Sequence, residues 1–341
     1  MEPVFDKIGV VFHHESTKGR KVEMVRPLRR LMAACVLIGI AIALLAGCAR
    51  HTATGGKAKL SFALCPKSLN NPYWTSVEDG MKDAAKKLGV EARFFAPMEA
   101  DVAKQVQEIE GVVAKGKDGI AISPNDPASV RSVIARAMAK GIPTITFDAD
   151  APGSKRICYI GTDNFKAGQE AGRQMVKLLG GKGSVLIVTG GLGAMNLNQR
   201  IDGFRSIVRS SPGITIINVV PCDDDEAKAH QIIESSLRSR KDLAGIYAVG
   251  LWAANPAGKI LFETGRAGKV KVVGFDTLDS ELQWVKKGSI QALIGQRPYQ
   301  MGYQSVEILF GLANGKKPEK TIIDTGIDVV TRENVESFLK K

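Results

Sequence analysis

From Leu60 onward the chain changes its hydrophobic period again and again. Short apolar runs alternate with longer stretches in which apolar residues recur every three or four positions. The first pattern reads as buried strand and the second as amphipathic helix. A strand is predicted over 60–64, then a helix over 75–88 with Val77, Met81, Ala84, Ala85 and Leu88 on one face. Strands over 92–96, 119–122 and 143–147 follow, separated by a helix marked by Val102, Val106, Ile109 and Val113 and by another over 128–140. The rhythm continues with strands at 157–160, 184–189, 214–220, 243–249, 270–275 and 290–295. Helices are expected at 165–180, 196–209, 225–238, 255–265, 279–286 and 299–313.

Apolar strands with helices between them predict α/β architecture, with parallel sheets covered on both faces. The strands are too many for one small sheet, so two Rossmann-like α/β lobes fit better. The two halves look like related units, without a short tandem repeat.

The segment before Leu60 breaks this pattern. Met24 to Arg30 is basic, 31–46 is almost wholly apolar, and Leu45-Ala46-Gly47-Cys48 closes it. A basic stretch, an apolar stretch and small residues before a cut site describe an export signal. The apolar run is shorter than the roughly 20 residues of a membrane-spanning helix. The last four residues resemble a bacterial lipobox, which would make Cys48 the lipidated first residue of the exported protein. Residues 1–47 are therefore read as leader and lipoprotein signal peptide, and 48–58 as a flexible tether rich in Thr and Gly.

Composition adds little to fold and something to partners. Lys and Arg number 47 against 35 Asp and Glu, a net charge of +12. The excess is spread along the chain without a dense basic run, which argues for solvated helix faces and against nucleic acid. Beyond Cys48 only Cys65, Cys158 and Cys222 remain, with no CxxC and no Cys/His cluster. No structural metal or cofactor is expected, and at least one of the three thiols should be unpaired.

Candidate chemistry gathers just past the predicted strands, where open α/β sheets bind ligands. The first strand is followed by Leu69-Asn70-Asn71-Pro72-Tyr73-Trp74. The third ends at Ser123, Asn125 and Asp126, and the fourth at Asp148 and Asp150. In the second half the corresponding residues are Asn196, Asn198 and Arg200, then Asp223, Asp224 and Asp225. Trp252 and Asn255, Asp276, and Gln296 with Arg297 complete the set. Carboxylates and amides can grip neighbouring hydroxyls, while aromatic faces cover C–H surface. That mixture suits a neutral polyhydroxyl ligand.

The ordered landmarks Leu69 to Trp74, Ile122-Ser123-Pro124-Asn125-Asp126, Ile145 to Asp148, Ile160 to Asn164 and Val273 to Asp276 resemble the periplasmic sugar-binding proteins of the ribose/galactose-binding type. These are the solute receptors of ABC importers. The resemblance implies two lobes that close on a sugar by hinge motion, with three crossovers, near Gly161, Gln296 and Gly326. It implies one lobe of 59–160 plus 297–326 and another of 161–296 plus 327–341. It carries binding roles onto Asn71, Tyr73, Trp74, Asp148, Asp276 and Gln296. Ser123, Asn198, Asp224 and Trp252 are expected where the ribose binders carry other residues. Ala149 also stands where those binders have Arg, and Gly250 where they have Asn, so a sugar other than ribose is expected. The implied partners are the membrane subunits of an ABC importer, and the membrane itself through Cys48.

Other classes fit less well. The Gly190-Gly191-Leu192-Gly193 loop has neither the dinucleotide spacing nor a P-loop lysine. Paired carboxylates such as Asp148 and Asp276 could serve a glycosidase, but gripping hydroxyls explains them without catalysis. A repressor of related fold would need a DNA-binding helix-turn-helix in front, where this chain has a signal. A sensor presenting a sugar-like signal would use the same receptor body.

Overall fold

The computed structural model describes residues 59–339, and Lys59–Lys341 forms one compact unit. The stretch expected to be an export signal, Cys48 and the expected tether lie outside the described residues. Strands β1 (Ser61–Cys65), β2 (Glu91–Phe94), β3 (Gly119–Ile122), β4 (Thr144–Phe147) and β5 (Tyr159–Gly161) alternate with helices α1 (Tyr73–Leu88), α2 (Val102–Lys115) and α3 (Pro127–Ala139). The second series has β6 (Lys182–Thr189), β7 (Gly213–Pro221), β8 (Leu243–Ala248), β9 (Lys271–Phe275) and β10 (Ala292–Gly295). Its helices are α4 (Asn164–Leu179), α5 (Met195–Val208), α6 (Glu226–Ser239), α7 (Leu251–Glu263) and α8 (Asp279–Lys286). Helix α9 (Pro298–Ala313), strands β11 (Ile322–Asp324) and β12 (Asp328–Thr331), and helix α10 (Val335–Leu339) finish the chain.

The strands form two six-stranded sheets, ordered β2-β1-β3-β4-β5-β11 and β7-β6-β8-β9-β10-β12. The two orders are the same, strand for strand. All pairs are parallel except β10 with β12, which is antiparallel. The chain thus passes between the sheets three times: from β5 to α4, from β10 to α9, and from β11 to β12. Around the first sheet the apolar residues form one cluster on each face, and around the second they form a single large cluster.

Each sheet reverses its winding between the strand pairs β1/β3 and β6/β8. In an open sheet of this kind the crevice outside the strands' carboxyl ends at that switch is the ligand site. The carboxyl ends of both sheets face one cleft.

Local chemistry explains which acidic residues are free to work there. Asp101, Asp126, Asp163 and Asp225 each accept a hydrogen bond from a backbone N–H in the first turn of a helix. These are helix caps, worth about 1 kcal/mol each, and their carboxylates are spoken for. Helix α7 begins at Leu251, four residues before the position expected from the sequence. Gly250 accepts from the N–H groups of Ala253 and Ala254 and starts the turn ahead of Pro256, which lies inside the helix. Cys65, Cys158 and Cys222 are all buried and unpaired.

Candidate functional site

Two aspartates organise the cleft. Asp148 follows Phe147 at the end of β4, and Asp276 follows Phe275 at the end of β9, the equivalent strand of the other sheet. Both adopt left-handed backbone, with φ of 58° and 75°. Each donates its N–H to the neighbouring strand, to Ile160 and Ile294 respectively. Such a conformation costs a non-glycine residue energy and is retained where the surroundings enforce it. Here it ends both strands abruptly at the lining of the cleft.

On the first lobe, Asp148 Oδ1 accepts from the Tyr73 hydroxyl at 3.2 Å and Oδ2 from Ser123 Oγ at 2.6 Å. Tyr73 and Trp74 start α1, where Asn71 Oδ1 accepts the Tyr73 N–H at 2.9 Å and fixes the turn. The Trp74 ring stands edge-on to Tyr73 and Phe147. On the second lobe, Asp276 Oδ1 accepts from Gln296 Nε2 at 2.8 Å, and Oδ2 from the Leu251 N–H at 3.3 Å. Arg200 is buried, with its guanidinium 4.2 Å from the centre of the Phe275 ring. It donates to Asn164 Oδ1 at 2.8 Å and to the Val249 carbonyl at 3.0 Å. A planar, forked cation stacked on an aromatic ring is a rigid donor platform.

These residues line a narrow cavity of about 40 Å³ between the two lobes. Of the residues singled out in the sequence, Asn71, Tyr73, Trp74, Asp148, Asp224, Trp252, Asp276 and Gln296 line it. Two expected residues do not. Ser123 is fully buried behind Asp148 and positions that carboxylate. Asn198 is exposed and donates its amide to the Leu192 carbonyl, turned away from the cavity. Its place is taken by Asn196 and Arg200, one helical turn apart on α5.

Lys67, Ser68, Leu197 and Gly250 also line the cavity and were not anticipated as site residues. Lys67 lies just past β1, ahead of the Asn-Asn pair, and a lone lysine in a loop reads as a solvated charge. Gly250 has a steric reason. A Cβ there would lie 2.7 Å from the Trp252 indole. The tryptophan, not Asn255, fills that space; Asn255 bonds instead to Ser280.

Burial controls the titration of the site. Desolvation pushes Asp276 above the usual carboxylate range, opposed by the Arg200 charge and the Gln296 hydrogen bond. It does the same to Asp224, opposed by Lys67. Desolvation lowers Lys67 from the ordinary lysine value, while Asp148 and Asp224 resist that shift. Four buried polar atoms of lining residues have no protein partner: Trp74 Nε1, Arg200 Nη2, Asp224 Oδ1 and Gln296 Oε1. Two are donors and two are acceptors. Among the described residues no cluster of His, Cys, Asp and Glu could hold a metal ion.

A two-lobed α/β receptor that encloses a polar cavity between opposed strand ends is the class that this geometry defines. Residues 62–317 match the family described as periplasmic binding protein domain, and the chain belongs to that family. An ABC transporter solute-binding protein from Burkholderia graminis, solved in complex with D-arabinose, is 39% identical with a TM-score of 0.79. The match covers 82% of this chain and 98% of that one. One from Agrobacterium vitis bound with α-D-tagatopyranose is 29% identical, with a TM-score of 0.77 and coverage of 81% and 96%. The ribose import binding protein RbsB of Bacillus subtilis is 26% identical over 85% of this chain and 96% of its own length. Among the described residues no helix is long and apolar enough to cross a membrane.

Proposed function

We propose that this protein is an extracytoplasmic solute receptor that binds a neutral monosaccharide or related polyol between its lobes and delivers it to an ABC importer. The observation that carries this reading is the pairing of Asp148 and Asp276 across one cavity whose lining also holds unpartnered donors and acceptors. A hydroxyl donates and accepts at once. Vicinal hydroxyls satisfy carboxylates and guanidinium together, which an apolar or purely anionic ligand does not. The Trp74 and Trp252 rings supply surface for the C–H faces of a sugar.

Binding proceeds by closure. A sugar engages one lobe, the second lobe completes the hydrogen bonds and expels water, and the closed form docks on the importer's membrane subunits. ATP hydrolysis belongs to the partner subunits, and the receptor itself performs no chemistry. Cys48 carries the lipid that keeps the body at the membrane. The cargo differs from ribose, because Ala149, Asp224 and Trp252 replace groups that the ribose binders use.

A thermal-shift screen tests this directly, with D-arabinose, D-tagatose, D-galactose, D-allose, D-ribose and linear polyols as probes. A true ligand at a hundred times its dissociation constant stabilises the fold by about 2.7 kcal/mol. One neutral sugar should shift the transition by several degrees. Release of altered sugar in the same wells would instead establish an enzyme. Labelling with radioactive palmitate, lost in Cys48→Ser, tests the anchor.

A further inference from the structure

Lys67 belongs to the first lobe and Asn196 to the second, yet Lys67 Nζ donates to Asn196 Oδ1 at 2.8 Å. Both side chains are buried. Among the described residues, other side-chain hydrogen bonds between the lobes sit at the crossovers, such as Asn164 to Tyr159 at 3.4 Å. This one spans the cleft away from the hinge.

The first lobe holds Lys67 firmly. Its backbone carbonyl accepts from Asn125 Nδ2 at 3.0 Å. Gln105, fully buried, ties the same loops together. Its Nε2 donates to the Pro66 and Ser123 carbonyls, and its Oε1 accepts the Asn125 N–H. On the other side Asn196 sits in the first turn of α5, one turn before Arg200. Two anchored partners therefore meet across a gap that exists only when the lobes are together.

We propose that Lys67 and Asn196 form a latch that holds the cleft shut independently of direct sugar contacts, and so sets the rate of ligand release. This rests on the reading that the lobes close upon a sugar. A hydrogen bond to a charged group that must break before the lobes part slows opening, and it leaves encounter with the open form unchanged. Affinity is then tuned through release, and the importer meets a longer-lived closed form.

The test measures release and closure separately. Sugar release is followed by stopped-flow tryptophan fluorescence, since Trp74 and Trp252 line the cavity, using the sugar found in the thermal screen. Asn196→Ala should speed release about tenfold with association changed less than about twofold. In a Lys67→Met background the same change should have no further effect, because the partner is gone. Asn196→Asp, which turns the bond into an ion pair, should slow release.

Pulsed-EPR distances between one exposed label on each lobe, without sugar, give the second readout. Lys67→Met should shift the distribution toward open and Asn196→Asp toward closed. Equal effects of Asn196→Ala in both backgrounds would overturn the latch. So would ligand-free distances that are the same in all three proteins, since loss of mere sugar contacts leaves those unchanged. If no probe sugar binds, the transport reading fails while the distance measurement still decides the latch.

Discussion

Asp148 and Asp276 illustrate what a single residue must give up to serve this cleft. Each accepts a left-handed backbone that glycine would take freely, and each then has hydrogen-bond donors on both oxygens. Gly250 shows the opposite economy, because the absence of a Cβ leaves room for the Trp252 ring. Gly250→Ala should weaken sugar binding at least tenfold, read by titration calorimetry, since the indole must move out of the cavity wall. Glu281 lies behind the site, fully buried, with Oε2 accepting the Leu278 N–H at 3.1 Å and Oε1 unpartnered. Burial first, then the Asp276 charge, pushes its carboxyl well above the usual range. A carboxyl raised in the folded state contributes stability that is full below its unfolded value and is lost as pH rises toward the folded one. Glu281→Gln keeps the cap without the titration. Its melting temperature should therefore gain on the wild type as pH rises above the ordinary carboxylate range. A constant difference over that rise would contradict the assignment.

Helix α5 shows how an element decides which of its residues matter. Positions four apart share a face, so Asn196 and Arg200 both reach the cleft, whereas Asn198 is turned roughly 160° away. The sequence marked the loop and the helix, and of the helix's polar residues it put Asn198 forward as the one that faces inward. Its choice of Asn198 failed because helical phase depends on where the first turn starts. Arg200→Lys should cost binding about tenfold or more, because an ammonium cannot reproduce the stacked fork. Asn198→Ala should leave affinity within about twofold; calorimetry on both variants checks the helical phase. Helix pairs also hold the lobes together internally. Gly80 on α1 and Gly302 on α9 bring those helices into backbone contact, and Gly168 on α4 and Gly203 on α5 do the same in the second lobe. Gly302→Ala should destabilise the protein by about 1–3 kcal/mol in denaturant unfolding.

At the scale of the whole molecule, the alternation of strand and helix made the α/β class legible, and the polar residues past the strands made most of the cavity legible. The sheets' common order and the antiparallel β12 follow from tertiary pairing and have no local signal. Tertiary placement also decided that Lys67, not expected in the site, lines the cavity against the opposite lobe, and that Ser123, expected in it, supports a carboxylate from behind. Leu251 and Leu278 of the second lobe pack against the apolar cluster of the first. Closure thus buries apolar surface as well as completing the polar site, and the two lobes act as one jaw. On the proposed function the ligand is gripped from both sides. The most direct measurement is titration calorimetry of the sugar found by thermal screening, against wild type, Asp148→Asn and Asp276→Asn. Loss of about a hundredfold or more in each variant, one per lobe, is the predicted result. Wild-type affinity in either variant would mean that the ligand does not bridge the cleft.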